Sequence, residues 1–393
     1  MTTASFPEHS TGADWQRAYD PKSVKWNFYD RDVIPMWVAD MDMPVAPVIA
    51  EAVARRVQDS RVAYPVRGRT PLVEAVLARL AKRHGLAGLE HDHAIFLSCV
   101  PGLHATARAL TTPGEAIVVQ TPLYGPFLDA IATARVTRQD NPLVRGADHQ
   151  YEIDFDHLEA TVTPATRVLM FCNPHNPTGR VWRRTELEKV ADFVLRHRLW
   201  LVTDELHNEL VYDGPYIPFA SISPEIAQRT ITLTGPAKTF NTAGLSIGIM
   251  VSHNRQLLDR VRAVTHGLVQ EYPNVAAEAA WLAAITTPEA DAWHHDTLGM
   301  IGANRDRLTR FLADHAPAVG YAPSQGTYLG WLDVRAYPWA EHPADYLKAH
   351  AKVGLSDGTS YGPAGAGHVR LNYATYPDIL EEALARLAPH LAL

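Results

Sequence analysis

Short β-branched segments alternate with helical patterns through the middle of the chain, and this alternation limits the fold more than any other feature. The predicted strands are Ala94–Leu97, Ala116–Gln120, Arg167–Cys172, Trp200–Thr203 and Thr230–Thr234. Strands separated by helices favour a mainly parallel sheet that is covered by helices. The sequence therefore predicts an α/β fold with a large domain built around such a sheet.

Two helices have clear start signals. One is predicted from Pro71 to about His84, with Thr70 as its N-cap and a glycine directly after it. The other lies between the third and fourth strands, where Thr185 is predicted as the N-cap and Glu188 completes a capping box. Both helices carry apolar residues at helical spacing, so each is expected to pack one face against the sheet.

The pattern changes after about residue 285. Strands are predicted at Gly326–Asp333 and His368–Tyr373, with helices near Pro343–Val353 and Pro377–Leu391. This grouping predicts a smaller α+β domain formed by residues 1–44 and 286–393, beside a large domain formed by residues 45–285.

Composition excludes several classes of protein. The 393 residues carry a net charge of −7, which offers no basic surface for nucleic acid. The N-terminal segment is polar and no apolar run reaches membrane-spanning length, so we expect a cytoplasmic protein with no membrane partner. Two cysteines exclude a disulfide framework. Only seven of the 36 basic residues are lysines, so a reaction that needs an amine has few candidates.

Patterns typical of other chemistries are weak here. Gly244-Leu-Ser246-Ile-Gly248 matches a hydrolase nucleophile turn, but no convincing strand precedes it. Gly365-Ala-Gly367 precedes a strand instead of following one, so it is not a dinucleotide-binding loop. The pairs His91/His93 and His294/His295 lack further ligands and are interpreted as solvated surface histidines, so no metal site is expected.

The strongest motif is Asn173-Pro-His-Asn176-Pro-Thr-Gly179, directly after a predicted strand. Asp204 ends the next strand, and Lys238 follows the one after it. Ligand crevices of α/β proteins form at the carboxyl ends of parallel strands. A lysine amine can form a Schiff base with an aldehyde cofactor, a carboxylate can keep a pyridine nitrogen protonated, and the Asn176 amide can donate to a phenolic oxygen.

Three further features fit the same cofactor chemistry. Gly102-Leu103-His104 is predicted to open a helix and to present N–H groups to a phosphate. Tyr124 follows a strand and can stack on an aromatic ring. Arg370 lies in a late strand, and its guanidinium is a natural partner for the α-carboxylate of an amino acid.

With these motifs the sequence resembles the pyridoxal 5'-phosphate enzymes of the aminotransferase class I/II superfamily, fold type I. More narrowly it resembles the MalY/PatB group of cystathionine β-lyase-like carbon–sulfur lyases, to which cystalysin belongs. The resemblance runs nearly end to end. Its landmarks are Val33–Asp42, Leu97–Gly102, Gln120–Phe127, Cys172–Arg180, Asp204–His207, Ala237–Leu245, Gly326–Asp333 and Arg370–Asn372.

The resemblance implies a role for each site residue. Lys238 would carry the cofactor and act in catalysis with Asp204 and Tyr124. The cofactor-binding residues implied are Tyr64, Gly102, Leu103, His104, Tyr124, Asn176, Asp204, His207 and Lys238. The substrate would be bound by Arg370, Ala39 and Asn176. Tyr64 matches a family tyrosine that reaches the phosphate of the neighbouring subunit, which implies a homodimer with shared active sites.

This chain also departs from the family pattern. The residue before Lys238 is Ala237 where the family usually has serine, so one hydroxyl for the phosphate is missing. Residues expected near the substrate entrance differ as well: Pro65 follows Tyr64, and Tyr373 follows the Arg370-Leu-Asn segment. These departures suggest an unusual substrate, such as a bulky cysteine S-conjugate of specialised metabolism.

The leading hypothesis is α,β-elimination of an L-cysteine S-conjugate to thiol, pyruvate and ammonia. An aminotransferase is the first alternative, because both reactions begin by removing the Cα proton. A family member diverted to decarboxylative or oxidative deamination of an S-linked cysteine, as in lincosamide-type antibiotic pathways, is the second. A regulatory, partner-binding protein is the non-enzymatic alternative.

Overall fold

The computed structural model describes residues 18–59, 62–65, 70–212, 214–267 and 272–392. The strands are β1 (Ile34–Pro35), β2 (Ala94–Phe96), β3 (Ala116–Thr121), β4 (Thr137–Pro142), β5 (Val144–Arg145), β6 (Tyr151–Glu152), β7 (Thr166–Cys172), β8 (Trp200–Asp204), β9 (Thr230–Thr234), β10 (Ile249–Val251), β11 (Leu329–Asp333), β12 (Val353–Gly354), β13 (Ser356–Asp357) and β14 (His368–Asn372). The α-helices are α1 (Val24–Asn27), α2 (Pro47–Gln58), α3 (Pro71–His84), α4 (Cys99–Leu110), α5 (Gly125–Ala134), α6 (Phe155–Thr161), α7 (Arg184–Arg196), α8 (Pro224–Ala227), α9 (Arg255–Thr265), α10 (Val275–Thr286), α11 (Pro288–His315), α12 (Pro343–His350) and α13 (Pro377–Leu391).

Seven strands form the central sheet, in the order β2-β10-β9-β8-β7-β3-β4. Strands β4, β3, β7, β8 and β9 are parallel to one another, whereas β10 is antiparallel to both β9 and β2. The predicted α/β fold with a mainly parallel sheet is confirmed, and all five predicted strands lie in this sheet. Strands β4 and β10 of this sheet were not predicted from the sequence.

Helices cover both faces of this sheet because alternate residues of its strands point to opposite sides. Ile117 and Val119 of β3 belong to the apolar cluster that contains α4, α5 and α9, whereas Val118 belongs to the cluster that contains α7. A strand that is buried on both faces has a continuous apolar run, as residues 116–119 of β3 do.

A separate apolar cluster joins the two ends of the described chain. Residues Ile34, Met36 and Met41 pack with the antiparallel sheet β11-β14-β13 and with α13. Helix α11 spans two clusters, since Ala290 packs near α2 while Leu308 packs against the C-terminal sheet.

Several helix and strand boundaries differ between the sequence prediction and the structure. Helix α3 has the predicted cap, with the Thr70 hydroxyl accepting from the N–H of Val73 and Gly85 in the left-handed region at its end. The predicted capping box of α7 is wrong: the helix begins at Arg184, and Thr185 lies inside it. The carboxylate of Glu186 accepts from the backbone N–H of residue 183 and is ion-paired with Arg180, and these contacts fix the earlier start.

The C-terminal elements are shorter than expected. Strand β11 starts at Leu329 instead of Gly326, because Thr327 has a positive φ of 67° that interrupts the extended backbone. Strand β14 ends at Asn372, and α12 ends at His350, so that Val353 lies in β12. No helix in the described ranges is long and apolar enough to cross a membrane.

Candidate active site

The carboxyl ends of β3, β7, β8 and β9 meet at one edge of the central sheet, where a cavity of about 300 Å³ opens. Its lining residues are Val38, Ala39, Ser98, Cys99, Val100, Pro101, Tyr124, Cys172, Asn176, Asp204, Leu206, His207, Ala237, Lys238, Ala243, Ser246, Ile247 and Arg370. Seven of the predicted site residues are brought together here, namely Ala39, Tyr124, Asn176, Asp204, His207, Lys238 and Arg370.

Lys238 and Asp204 lie at the carboxyl ends of two neighbouring strands. Lys238 comes four residues after β9, and its Nζ donates a hydrogen bond of 2.6 Å to the carbonyl oxygen of Ala39. Burial lowers the pKa of this amine. Asp204 ends β8, and its Oδ1 accepts from the N–H of Leu206 at 3.0 Å. Burial raises the pKa of Asp204 to about 6, so a cationic partner inside the cavity would stabilise the carboxylate.

The Asn173–Gly179 motif forms a tight loop after β7. The N–H of Gly179 donates to the carbonyl of His175 at 2.8 Å, and Gly179 has a φ of +72°. A Cβ at Gly179 would lie 2.4 Å from the Cβ of Ser324, so this position requires glycine for both conformation and space. The loop thereby holds the Asn176 side chain at the cavity.

Arg370 reaches the same cavity from β14. Its Nη1 donates to Oδ1 of Asn176 at 2.9 Å, and its Nη2 donates to the carbonyl of Trp37 at 2.8 Å. The guanidinium carbon lies 5.1 Å from the centre of the Tyr361 ring. The Nε of Arg370 is buried and has no hydrogen-bond partner among the described residues, so a donor remains available to an anionic ligand.

His207 and Tyr124 form further parts of the wall. His207 packs edge-on against the Tyr328 ring, and its buried Nδ1 has no partner in the described part of the chain. Burial lowers the pKa of His207 to about 3, so the imidazole is neutral at physiological pH. Tyr124 precedes α5, and its N–H donates to the carbonyl of Asn176 at 3.1 Å.

The predicted opening of the phosphate helix is corrected. Helix α4 begins at Cys99 instead of Gly102, so the N–H of Gly102 is already bonded to the carbonyl of Ser98 at 2.9 Å. The N–H groups of Leu103 and His104 lie further inside the helix and are used by its own ladder.

The N–H groups available at this helix start are therefore those of Cys99 and Val100, because an α-helix leaves its first amides unbonded and the next residue is Pro101. The Ser98 side chain makes no capping bond and lines the cavity. Gly102 has a different constraint, since a Cβ there would lie 2.9 Å from the side chain of Leu233.

Tyr64 lies outside this cavity. Its side chain is 87% exposed in the single chain, and it belongs to the short described segment 62–65. Tyr64 is not among the residues that line the cavity.

Sequence reasoning missed several residues of the wall. Cys99 and Cys172, the two cysteines of the chain, both line the cavity, and the Cys99 thiol interacts with the Asp204 carboxyl. Ser246 lies at the rim in the left-handed region, after a short 3₁₀ turn. Its position at the start of antiparallel β10 explains the placement, because that end of β10 meets the carboxyl ends of the parallel strands.

The interpretation of the histidine pairs as surface residues is wrong for His294. This residue is buried on α11, and its Nε2 is bonded to the carbonyl of Glu209 at 2.9 Å. His93 is also largely buried and lies with Glu90 and Asp92 in a small group of ligand-type side chains. Arg255 forms ion pairs with both of those carboxylates, so their charge is already compensated.

The cavity fits the cofactor that the motifs imply. Asp204 supplies a buried carboxylate for a pyridine nitrogen, and Lys238 supplies an amine for an aldehyde. The unpartnered Nδ1 of His207 and the amide of Asn176 suit a phenolic oxygen. The start of α4 suits a phosphate because its first residues line the cavity and a helix start leaves its first N–H groups unbonded.

Comparison with known proteins agrees with this geometry. The model of the family "Aminotransferase class I and II" matches residues 31–387. The cystathionine beta-lyase PatB of Bacillus subtilis (strain 168) is 33% identical over 379 residues, covering 93% of this chain and 96% of PatB. The crystal structure of OvoB has a TM-score of 0.88 and 34% identity, covering 94% of this chain and 96% of OvoB.

Cystalysin from Treponema denticola, solved with pyridoxal 5'-phosphate, has a TM-score of 0.89 and 28% identity, covering 94% of this chain and 95% of cystalysin. The expected family resemblance is confirmed. The chain belongs to the aminotransferase class I and II family, the pyridoxal 5'-phosphate enzymes of fold type I, and its relatives there include cystathionine beta-lyases of the PatB type.

Proposed function

We propose that the protein is a carbon–sulfur lyase that catalyses α,β-elimination of an L-cysteine S-conjugate. With one water molecule consumed, the products are a thiol, pyruvate and ammonia. The observation that carries this proposal is the convergence of the Lys238 amine, the Asp204 carboxylate and the Arg370 guanidinium on one cavity. The names of relatives such as PatB support the same reaction class.

When bound, pyridoxal 5'-phosphate supplies a sink for the electron pair left on the substrate Cα. Asp204 would hold the pyridine nitrogen, Tyr124 would stack on the ring, and Asn176 with His207 would contact the phenolic oxygen. Because the start of α4 is at Cys99, its N–H groups and the Ser98 hydroxyl would hold the phosphate, in place of the Gly102–His104 turn.

Arg370 would bind the substrate α-carboxylate. Its Nε has no partner, and the Asn176 side chain and Trp37 carbonyl fix the rest of the guanidinium. A preset guanidinium loses little side-chain entropy when the substrate binds, which favours a single orientation of the amino acid. Ala39 also lines the cavity and would complete the substrate site.

Lys238 would take the Cα proton. Because burial lowers the pKa of this amine, a larger fraction of it is neutral and able to accept a proton near neutral pH. The thiolate then leaves from Cβ with the electron pair of the C–S bond, and hydrolysis of the three-carbon remainder gives pyruvate and ammonia.

The assembly belongs to the same proposal. We place the boundary between a large and a small domain near residues 45 and 285, and we propose a homodimer in the cytoplasm in which Tyr64 reaches the partner's phosphate site. The high exposure of Tyr64 in the single chain supports this arrangement.

The test is a product assay with cysteine S-conjugates of increasing size, with and without an added keto acid. The proposal predicts equal amounts of thiol, pyruvate and ammonia, independent of the keto acid. Amino transfer that requires the keto acid, with no thiol released, would establish an aminotransferase instead. Loss of carbon dioxide from the substrate would indicate the diverted, decarboxylative chemistry, and absence of turnover would favour a regulatory role.

A further inference from the structure

Residues 38–43 run beside Lys238 as a segment of irregular backbone that side-chain amides hold in place. The Nδ2 of Asn372 donates to the carbonyl oxygens of Val38 and Asp40, each at 2.7 Å. Asn372 belongs to β14, so this segment is tied to the same strand that carries the candidate substrate arginine.

Asn241 fixes the other end of the segment. Its Nδ2 donates to the carbonyls of Met41 and Met43, and its Oδ1 accepts from the N–H of Met41 at 3.2 Å. Lys25, whose side chain is only 1% exposed, donates to the carbonyl of Asp40 at 3.1 Å. Six side-chain hydrogen bonds to the backbone of this segment leave it little freedom to move relative to Lys238.

The fixed backbone places one carbonyl directly against the amine. The carbonyl oxygen of Ala39 accepts from Nζ of Lys238 at 2.6 Å and from the hydroxyl of Tyr328 at 3.1 Å. A carbonyl that accepts two hydrogen bonds favours the protonated amine, which is the better donor.

The next residue adds a negative charge. The carboxylate of Asp40 lines a second cleft, which shares Ala39 and Lys238 with the active-site cavity. It interacts electrostatically with Lys238 and Lys25. A partly buried carboxylate beside an amine that acts in catalysis is an arrangement that shifts the pKa of the amine.

We propose that Asp40 is a positioning residue that, with the carbonyl of Ala39, holds the Lys238 ammonium formed when the amine takes the substrate Cα proton. In that step the Cα–H bond breaks, the Nζ–H bond forms and the electron pair stays on the substrate. Asp40 itself exchanges no proton. The inference rests on the role given to Lys238 under the proposed function.

The charges around the amine act in known directions. Burial lowers the pKa of Lys238, Asp40 raises it, Arg370 of β14 lowers it, and Cys99 of α4 and Asp204 of β8 raise it. Asp40 is the strongest of the charged groups that favour the ammonium. Replacing Asp40 by asparagine therefore removes the negative charge that offsets the effect of Arg370, and the amine becomes harder to protonate.

The experiment compares Asp40→Asn, Asp40→Glu and the control Asp20→Asn, all as holoenzymes. Asp20 is an exposed acid of the same second cleft, so its variant removes the same charge from the same cleft. The first readout is the pH titration of the visible absorption band of the bound pyridoxal 5'-phosphate. The second is whether the substitution changes kcat or KM. Melting temperatures verify that each variant is folded.

We expect the absorption midpoint of Asp40→Asn to fall by about one pH unit, with Asp40→Glu close to the wild type and Asp20→Asn unchanged. We also expect kcat to fall at least about tenfold with KM within about twofold, because Asp40 does not contact the carboxylate site. A folded Asp40→Asn enzyme with the wild-type midpoint and kcat would overturn the inference.

The variant Lys238→Ala tests the proposed function independently of the role of Asp40. If Lys238→Ala keeps the visible band, the assignment of the lysine is wrong. If Lys238→Ala loses the band and Asp40→Asn titrates like the wild type, only the role of Asp40 fails.

Discussion

The guanidinium of Arg370 donates a hydrogen bond of 2.9 Å to the side-chain oxygen of Asn176, across 194 positions of the chain. This bond joins β14 of the C-terminal sheet to the loop after β7 of the central sheet. It leaves the Asn176 amide nitrogen free to face the cavity. A single contact thus orients both a candidate substrate group and a candidate cofactor group.

Replacing Arg370 by lysine should weaken substrate binding. Lysine keeps the charge but loses the planar pair of donors, and one charge-assisted hydrogen bond contributes about 1.5–3 kcal/mol. We expect kcat/KM for a cysteine S-conjugate to fall about 10- to 150-fold. Steady-state kinetics would measure this fall, with Arg310→Lys on the exposed side of α11 as the control. Unchanged kcat/KM would mean that another residue binds the carboxylate.

Replacing Ala237 by serine should strengthen cofactor binding. Ala237 lines the cavity beside Lys238, at the position where the family pattern described above predicts a serine hydroxyl for the phosphate. One added hydrogen bond to a charged group predicts about tenfold or tighter binding. The rate at which the visible band of the cofactor is lost during dialysis would measure this affinity. Ala243→Ser, which adds a hydroxyl at the cavity rim, should have no such effect. Equal loss in both variants would contradict the phosphate position.

Asp204 should make the stability of the cofactor-free protein depend on pH. Burial raises the pKa of Asp204 to about 6, above its ordinary value of 3.8. A carboxyl with a raised pKa contributes stability as a neutral acid below about pH 4, and that contribution is lost as the pH rises to about 6. The loss amounts to about 3 kcal/mol for a shift of this size.

Asp204→Asn is neutral throughout this range and should show no such loss. Between pH 4 and 7 the melting temperature of the cofactor-free wild type should therefore fall relative to that of Asp204→Asn. Added cofactor should raise the melting temperature of the wild type again at pH 7. Parallel curves for the two cofactor-free proteins would show that the carboxylate is not destabilised by burial.

Mixed subunits test the shared active site. If Tyr64 serves the partner's site, a hybrid of Tyr64→Ala and Lys238→Ala subunits has one complete site, formed by the lysine of one chain and the tyrosine of the other. Random mixing of the two inactive variants should then give about one quarter of wild-type activity. If Tyr64 acts within its own chain, mixing would restore nothing.

The site could be predicted from the sequence where its residues follow strands. Lys238, Asp204 and Asn176 each come within four residues of a parallel strand, and the ends of such strands meet by topology. Local pattern therefore predicted both the sheet and the convergence of these side chains. Because the chain has only seven lysines, few residues could supply the reactive amine.

Other parts of the site depend on contacts that local pattern does not contain. Helix α4 begins at Cys99 because Ser98 is extended and the chain turns helical there without a capping side chain, so no start signal is present. The contact of Lys238 with Ala39 spans 199 positions, and hydrogen bonds from Asn372 and Asn241 to neighbouring carbonyls support it. Burial of His294 likewise depends on tertiary packing.

The central claim is that Lys238 is the amine that carries the cofactor and removes the Cα proton. Borohydride reduction of the holoenzyme, followed by peptide mapping, tests it most directly, because reduction fixes the cofactor to the lysine that holds it. The account predicts a phosphopyridoxyl group on the peptide that contains Lys238 and on none of the other six lysine positions. A label on any other lysine, or none in a protein that shows the visible band, would contradict it.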